Sequence, residues 1–101
     1  MQTPKDELIQ LLEAAKDPVR LQLVALLGEG NRMSVNEIAS QFRLSRPAVS
    51  HHLKVLKTAG IVRSEKSGQK VYYWLDRERL VAGLRELADA IENRIRKSET
   101  G

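Results

Sequence analysis

The segment Ser45–Gly60 most constrains this chain, because it carries start and stop signals for a helix and sorts its side chains onto two unlike faces. Ser45 can cap the helix, and Pro47 fits the first turn, where its missing N–H costs nothing. Gly60 can adopt the left-handed conformation that ends helices. At about 100° per residue, one face is apolar and contains Ala48, Val49, Leu53, Val55, Leu56 and Ala59.

The opposite face of this predicted helix is polar and has no carboxylate. Its side chains offer hydroxyls, an imidazole and cationic tips, whereas a merely solvated face usually mixes both signs of charge. A face without acids suits a surface that approaches phosphates and base edges. We therefore interpret the segment as a DNA recognition helix, whose candidate contacts are Ser45, Arg46, Pro47, Ser50, His51, Lys54 and Lys57.

The positive charge of the chain is concentrated around this helix. Residues 43–70 hold seven cations and one anion, Glu65, so this segment is +6 while the remaining residues sum to −2. Charge focused in this way is expected of a nucleic-acid-binding face. An ordinary basic surface patch is the alternative. The coincidence with the polar helix face favours nucleic acid.

Length and composition restrict the class of protein. A chain of 101 residues corresponds to one domain, residues 1–101, for which a partner subunit would add buried surface. The absence of cysteine excludes disulfides, thiolate metal sites and thiol redox sensing. The N-terminal sequence does not resemble a signal peptide, and no apolar run approaches the length of a membrane span. We expect a cytoplasmic protein without a membrane partner.

Two helices and a brief strand are predicted before the helix-turn-helix. The first helix, Pro4–Lys16, has proline at its start and one apolar stripe. Asp17-Pro18 ends it, because a residue before proline avoids the helical region, and caps a second helix that runs to Leu27. Arg32-Met33 is predicted as the brief strand.

Residues 34–60 are predicted to form the helix-turn-helix. Ser34 and Glu37 have the spacing of a capping box, in which each side chain satisfies a backbone donor of the other residue. The short helix that follows buries Ile38 and Phe42. Arg43-Leu44 then connects it tightly to the recognition helix, as is typical of this motif.

Residues 61–75 change to the alternating pattern of strands. Ile61–Glu65 and Lys70–Leu75 are predicted as two strands around a turn at residues 66–69, which contains a glycine. This hairpin is a basic wing, with candidate phosphate contacts at Arg63, Lys66, Gln69 and Lys70. Alternation separates Tyr73 from its two aromatic neighbours, which favours packing against helices over base stacking.

The last predicted helix, residues 77–97, is capped by Asp76 and carries a long apolar stripe. Because the earlier helices already fill the core, we expect this stripe to pair with the first helix, residues 5–16, across a two-fold axis. Packing of both terminal helices on their own domain is the alternative. The candidate interface residues are Leu8, Leu11, Leu12, Leu80, Leu84, Leu87 and Ile91.

Four segments resemble the ArsR/SmtB family of bacterial winged-helix repressors, many of which are metal sensors. They are Asp17–Leu21, Leu44–Leu56, Ala59–Val62 and Gly68–Leu75, in the family's order. The resemblance implies a mainly α fold with a β-hairpin wing, in the order α-α-α-α-β-β-α. It also implies a homodimer through the terminal helices, binding to a palindromic or pseudo-palindromic operator on double-stranded DNA, and an inducer that releases the DNA.

The chain departs from the metal sensors of that family at the ligand positions. Residues 35–37 stand where family members need cysteines, and the C-terminal helix has Asp89 but no histidine. His51 and His52 are adjacent on a helix and point about 100° apart, so they cannot share an ion; His52 is predicted to have a structural role. We therefore expect neither a metal site nor a cofactor, and the signal is left open between a small molecule, another protein and competition for the promoter.

Two functional interpretations remain after this comparison. The first is a dimeric, sequence-specific transcriptional regulator of double-stranded DNA, acting as a repressor. The alternative is a winged-helix protein-interaction module without a sequence-specific DNA role. An enzyme is not expected, because the chain has no Ser–His–acid arrangement, no HExxH and no glycine-rich phosphate loop.

Overall fold

The computed structural model describes the backbone of residues 4–100 and the side chains of residues 6–93. Within that range it contains five helices and one antiparallel sheet. The helices are α1 (Pro4–Ala15), α2 (Pro18–Leu27), α3 (Val35–Phe42), α4 (Arg46–Thr58) and α5 (Arg77–Thr100). The strands are β1 (Met33–Ser34), β2 (Val62–Ser67) and β3 (Lys70–Leu75), in the sheet order β1-β3-β2. No helix in the described range is both long and apolar enough to cross a membrane.

The helix starts form where the capping residues predict them. The Asp17 carboxylate accepts from the backbone amides of Arg20 and Val19, and these hydrogen bonds, that from Arg20 foremost, hold the pKa of Asp17 below its usual range. The cap is therefore present at neutral pH and is lost only in acid, as pH falls through the folded-state pKa. Ser34 and Glu37 form the predicted capping box. Asp76 accepts from the amide of Arg79 and caps α5.

The hairpin differs from the prediction in the length of its turn. Ser67 pairs with Lys70, so the loop consists of Gly68 and Gln69 alone, and Gly68 has φ 64°. A positive φ at the first loop residue suits the right-handed twist of a two-residue hairpin, and glycine adopts it without a steric penalty because it has no Cβ. Lys66 therefore lies within β2 rather than in the turn. The brief first strand is shifted by one residue to Met33–Ser34, where it pairs with Tyr73 and Tyr72.

The core lies between the helices and one face of the sheet. Val49, Leu53 and Leu56 of α4 are fully buried, which fixes the roll of this helix about its axis. Burying side chains of this size gains about 1.5–3 kcal/mol each relative to exposure. The remaining core residues are Leu11, Ala14, Leu23, Leu27, Met33, Ile38, Ala59, Ile61 and Val62. Since the apolar face of α4 is held inward, its polar face must point outward.

The terminal helices α1 and α5 pack closely against each other in one subunit. A Cβ atom at Gly83 would lie 2.6 Å from Cδ1 of Leu11, so the helices approach at this point because residue 83 has no side chain. Leu11 is only 1% exposed. The guanidinium of Arg79 lies 3.8 Å from the Glu7 carboxylate across the same pair of helices. The prediction that Leu11 faces a partner subunit is therefore wrong, because this side chain belongs to the core of its own subunit.

Candidate nucleic-acid interface

The predicted contact residues all lie on the surface. The seven from the recognition helix and the four from the wing are each solvent-exposed. On α4 this follows from the burial of Val49, Leu53 and Leu56, because residues about 100° apart on one helix cannot share the buried face. The polar face predicted from the spacing is thus accessible along the whole helix.

An open groove of about 560 Å³ separates the start of α4 from the wing. Arg46, Pro47 and Ser50 line its helix side, and Gln69 and Lys70 line its wing side. The structure therefore brings these two predicted groups together around one concave surface. Two cations border the groove, and none of its lining residues is acidic: the others are Ser34, Val35, Asn36, Val71 and Tyr73. The arrangement suits a polyanion.

Four other predicted contacts border two different hollows, whereas Ser45 and Lys66 line neither of them. His51 and Lys54 lie beside a groove of about 460 Å³ between α4 and α1, which also contains Arg20. Lys57 and Arg63 lie at the far end of α4, in a hollow that includes the acid Asp76. The recognition-helix residues thus form one exposed face, but only Arg46, Pro47 and Ser50 share a groove with the wing.

The one acid of the basic segment is paired. Glu65 on β2 accepts from Arg32 at 3.2 Å, so its charge is offset by a cation from outside residues 43–70. The guanidinium of Arg32 also lies over the ring of Trp74, 4.0 Å from its centroid. Tyr73 packs against the core on the opposite face of the strand. Tyr73 therefore packs against the core as predicted, whereas Trp74 contacts Arg32, which lies outside the helices.

His52 is half-buried rather than fully buried, and it contacts a charged side chain. Its Nδ1 lies 3.4 Å from Nη1 of Arg20. The same guanidinium donates from Nε to the carbonyl of Ala14 at 2.6 Å, near the end of α1. Arg20 thereby connects α1, α2 and the recognition helix. Its side chain satisfies a terminal carbonyl of α1 that has no partner within the helix.

Three residues that support the recognition helix or the wing were not identified from the sequence. Asn36 of α3 accepts from Nη1 of Arg46 at 3.2 Å. Arg32 forms an ion pair with Glu65 on the wing. Arg20 contacts His52 on the side of α4 that faces the other helices. No local pattern indicates these roles, since each joins residues at least ten positions apart. Only the overall arrangement of the elements places them.

The terminal helices leave an apolar stripe uncovered in the single subunit. Leu84 is 49% exposed, Ile91 51% and Leu12 38%, while Leu8 and Leu87 are half-buried. Leu80 instead packs against the core of its own subunit. Ile9, which the prediction omitted, is 49% exposed on α1. Ile9 stands next to Leu8 and three residues before Leu12, but it lies outside the stripe that was assigned to α1.

Among residues whose side chains the structure describes, no group of three histidine, cysteine, aspartate or glutamate residues could hold a metal ion. The rings of His51 and His52 lie 5.7 Å apart and tilted by 58°. His51 faces solvent and His52 faces Arg20, so the two imidazoles have different surroundings.

Comparison with known proteins relates this geometry to a family. Residues 17–64, from the cap of α2 to β2, match the family described as "Bacterial regulatory protein, arsR family". The chain is also similar to the transcriptional repressor SdpR of Bacillus subtilis (strain 168). The two are 38% identical over 66 residues, which cover 65% of this chain and 72% of that repressor.

Solved structures share the whole architecture. An ArsR-like transcriptional regulator from Rhodococcus sp. RHA1 superimposes with a TM-score of 0.85 at 26% identity, over 95% of this chain and 90% of that one. The homodimeric winged helix-turn-helix DNA-binding domain of a possible ArsR-family transcriptional regulator from Mycobacterium bovis has a TM-score of 0.71. It covers 93% of this chain and 85% of that one at 24% identity, a likeness that concerns the fold alone.

Proposed function

Because the chain belongs to the ArsR family of bacterial regulatory proteins, and is therefore a DNA-binding transcriptional regulator, we propose that it acts as a homodimeric repressor on a palindromic operator. The observation that carries this proposal is the continuous exposed face of α4 with its adjoining wing. In it, Arg46 and Lys70 border one groove without an acid in its lining. The two-fold symmetry of a dimer would present two such faces to successive half-sites.

Dimerisation through α1 and α5 is proposed from the apolar stripe. Leu12, Leu84 and Ile91 are each more than a third exposed, which is unusual for adjacent large apolar side chains on one surface. The M. bovis domain of the same fold is described as homodimeric, which supports a dimer but does not indicate the helices involved. The proposed interface consists of Leu8, Ile9, Leu12, Leu84, Leu87 and Ile91, and no longer includes Leu11 or Leu80.

The recognition helix and the wing are expected to contribute different kinds of binding energy. Ser50 lies in the second turn of α4, where side chains can reach base edges, whereas Lys70 lies on the wing, nearer to phosphates. Replacing Ser50 with alanine should lower the preference for operator over scrambled DNA by about 1–3 kcal/mol. Replacing Lys70 with alanine should weaken both DNAs equally and reduce the slope of log affinity against log salt by about one.

The measurement is a salt titration of affinity for both duplexes, with wild type and each single variant. The operator is first selected by the purified protein from a pool of random duplexes. Loss of operator preference in Lys70→Ala, with preference retained in Ser50→Ala, would reverse the two roles. A protein that selects no duplex at all, at any salt concentration, would instead favour the protein-interaction module.

DNA release is expected not to require a transition metal. The chain lacks cysteine, and its two histidines have different surroundings. Adding stoichiometric Zn²⁺ or Ni²⁺ to the protein–operator complex should leave the affinity unaltered. A loss of affinity of about tenfold or more at micromolar metal would contradict this expectation, because each factor of ten requires a specific interaction of about 1.4 kcal/mol.

A further inference from the structure

We propose that Asn36 is a specificity-determining residue, which acts by positioning the guanidinium of Arg46 for base recognition. Asn36 lies in the first turn of α3, and Arg46 is the first residue of α4. Nη1 of Arg46 donates to Oδ1 of Asn36 at 3.2 Å, and both side chains are exposed. This inference rests on the proposed function, since it assigns a second residue to the same DNA-reading surface.

The nitrogen of Arg46 that donates to Asn36 determines which N–H donors of the guanidinium remain free. Because Asn36 engages Nη1, the edge formed by Nε and Nη2 points away from this hydrogen bond. No other hydrogen bond or ion pair of Arg46 occurs among the residues with described side chains. A guanidinium edge with two parallel donors matches the O6 and N7 acceptors of guanine in the major groove. The hydrogen bond therefore leaves the donors needed for a bidentate contact available.

Asn36 can orient Arg46 because its own position is fixed. The capping box holds the start of α3, with the Ser34 hydroxyl accepting from the Glu37 amide at 3.3 Å. Ile38, two residues after Asn36, is fully buried. Ser45 caps α4 through the amide of Ala48 at 3.2 Å. Both ends of the Asn36–Arg46 contact thus stand on anchored helix starts, and the long arginine side chain loses rotamer freedom before DNA binds.

The neutral amide also preserves the charge of Arg46. Glu37, the acid next to Asn36 in the sequence, accepts hydrogen bonds at Oε1 from the hydroxyl of Ser34 at 3.0 Å and from its amide at 3.3 Å. Asn36 and Arg46 both line the groove beside the wing, together with Ser50 and Lys70. A carboxylate at position 36 would hold the guanidinium but add a negative charge where the DNA backbone approaches.

The test compares binding of the wild type, Asn36→Ala, Arg46→Ala and the double variant to the selected operator and to scrambled DNA. Asn36→Ala should reduce the operator preference about fivefold to tenfold, with affinity for scrambled DNA and the salt slope unchanged. Arg46→Ala should reduce the preference at least as much. The double variant should match Arg46→Ala, because Asn36 acts only through Arg46.

Two further variants separate positioning from a general effect on the helix. Gln41→Ala removes another exposed amide from the same helix and should change nothing. Asn36→Asp keeps the acceptor, so it should retain the operator preference while both affinities fall. Thermal unfolding midpoints of all variants should agree with wild type within a few degrees, which excludes loss of folding as the cause.

The outcomes distinguish this inference from the proposed function. If Arg46→Ala loses the preference and Asn36→Ala retains it, the positioning role is overturned while base reading by α4 stands. If both variants retain the preference, while Ser50→Ala does not, the inference fails without affecting the repressor proposal. If no substitution on α4 changes the preference, the assignment of α4 as the reading element fails as well.

Discussion

Replacing Leu84 with glutamate is expected to convert the protein to monomers at concentrations where the wild type is dimeric. The Leu84 side chain is 49% exposed in the single subunit and lies in the apolar stripe shared by α1 and α5. A two-fold interface contains the residue twice, so the variant would bury two unpaired carboxylates. We expect the dimer dissociation constant to rise about a hundredfold or more, equivalent to about 2.7 kcal/mol. Sedimentation velocity over a range of concentrations measures it.

Ala82→Glu provides the matched control for this prediction. Ala82 is exposed on the same helix, but about 160° around its axis from Leu84, away from the stripe. It introduces the same carboxylate without placing it in the proposed interface, so the dimer should be retained. If both substitutions weakened the dimer equally, or if neither weakened it, the interface would lie elsewhere. Operator affinity should fall together with dimerisation, because each monomer reads only one half-site.

Replacing Gly83 with valine is expected to destabilise the folded subunit by about 1–3 kcal/mol. The valine Cβ would lie 2.6 Å from Cδ1 of Leu11, well inside contact distance. Leu11 is 1% exposed and cannot swing into solvent, so α1 and α5 would have to separate. Urea denaturation should show a lower midpoint with an unchanged slope, since the variant exposes nearly the same surface area on unfolding as the wild type.

The control for this second prediction is Ala82→Val. It introduces the same β-branched side chain one position away without the clash, at a helix-propensity cost of about half a kcal/mol relative to alanine, whereas valine is a better helix former than glycine. A greater loss of stability in Gly83→Val than in Ala82→Val, against this difference in propensity, therefore reports the close approach of the helices. If Gly83→Val proved as stable as Ala82→Val, Leu11 would have room to repack, and the glycine would not be required for the pairing of α1 and α5.

The helices could be predicted from the sequence because their signals are local. Asp17 precedes Pro18, and Ser34 stands three residues before Glu37, so backbone donors and their acceptors are close along the chain. Gly60 follows α4 with φ 81°, as expected of a glycine that ends a helix. The polar face of α4 was likewise predictable, because helical spacing and the burial of its apolar face leave one orientation.

The remaining features depend on contacts between distant parts of the chain. The stripe on α1 includes Leu11 as a periodic member, but the presence of Gly83 on α5 decides that this leucine is buried within its own subunit. The hydrogen bond from Arg46 to Asn36 depends on how α3 and α4 cross. The resemblance to a family supplied the element order, yet it did not indicate either pair of residues.

The short first strand has a consequence for how the wing moves. β1 pairs with β3 only at Tyr73 and Tyr72, so the hairpin from Val71 to its tip has no third strand beside it. Such a segment opens locally at low free energy, and its amide hydrogens should exchange with solvent sooner than those near Tyr73. Its cationic end can follow small displacements of a phosphate without disturbing the core. We therefore expect the wing to accommodate differences in groove width more readily than α4, whose apolar face is held in the core.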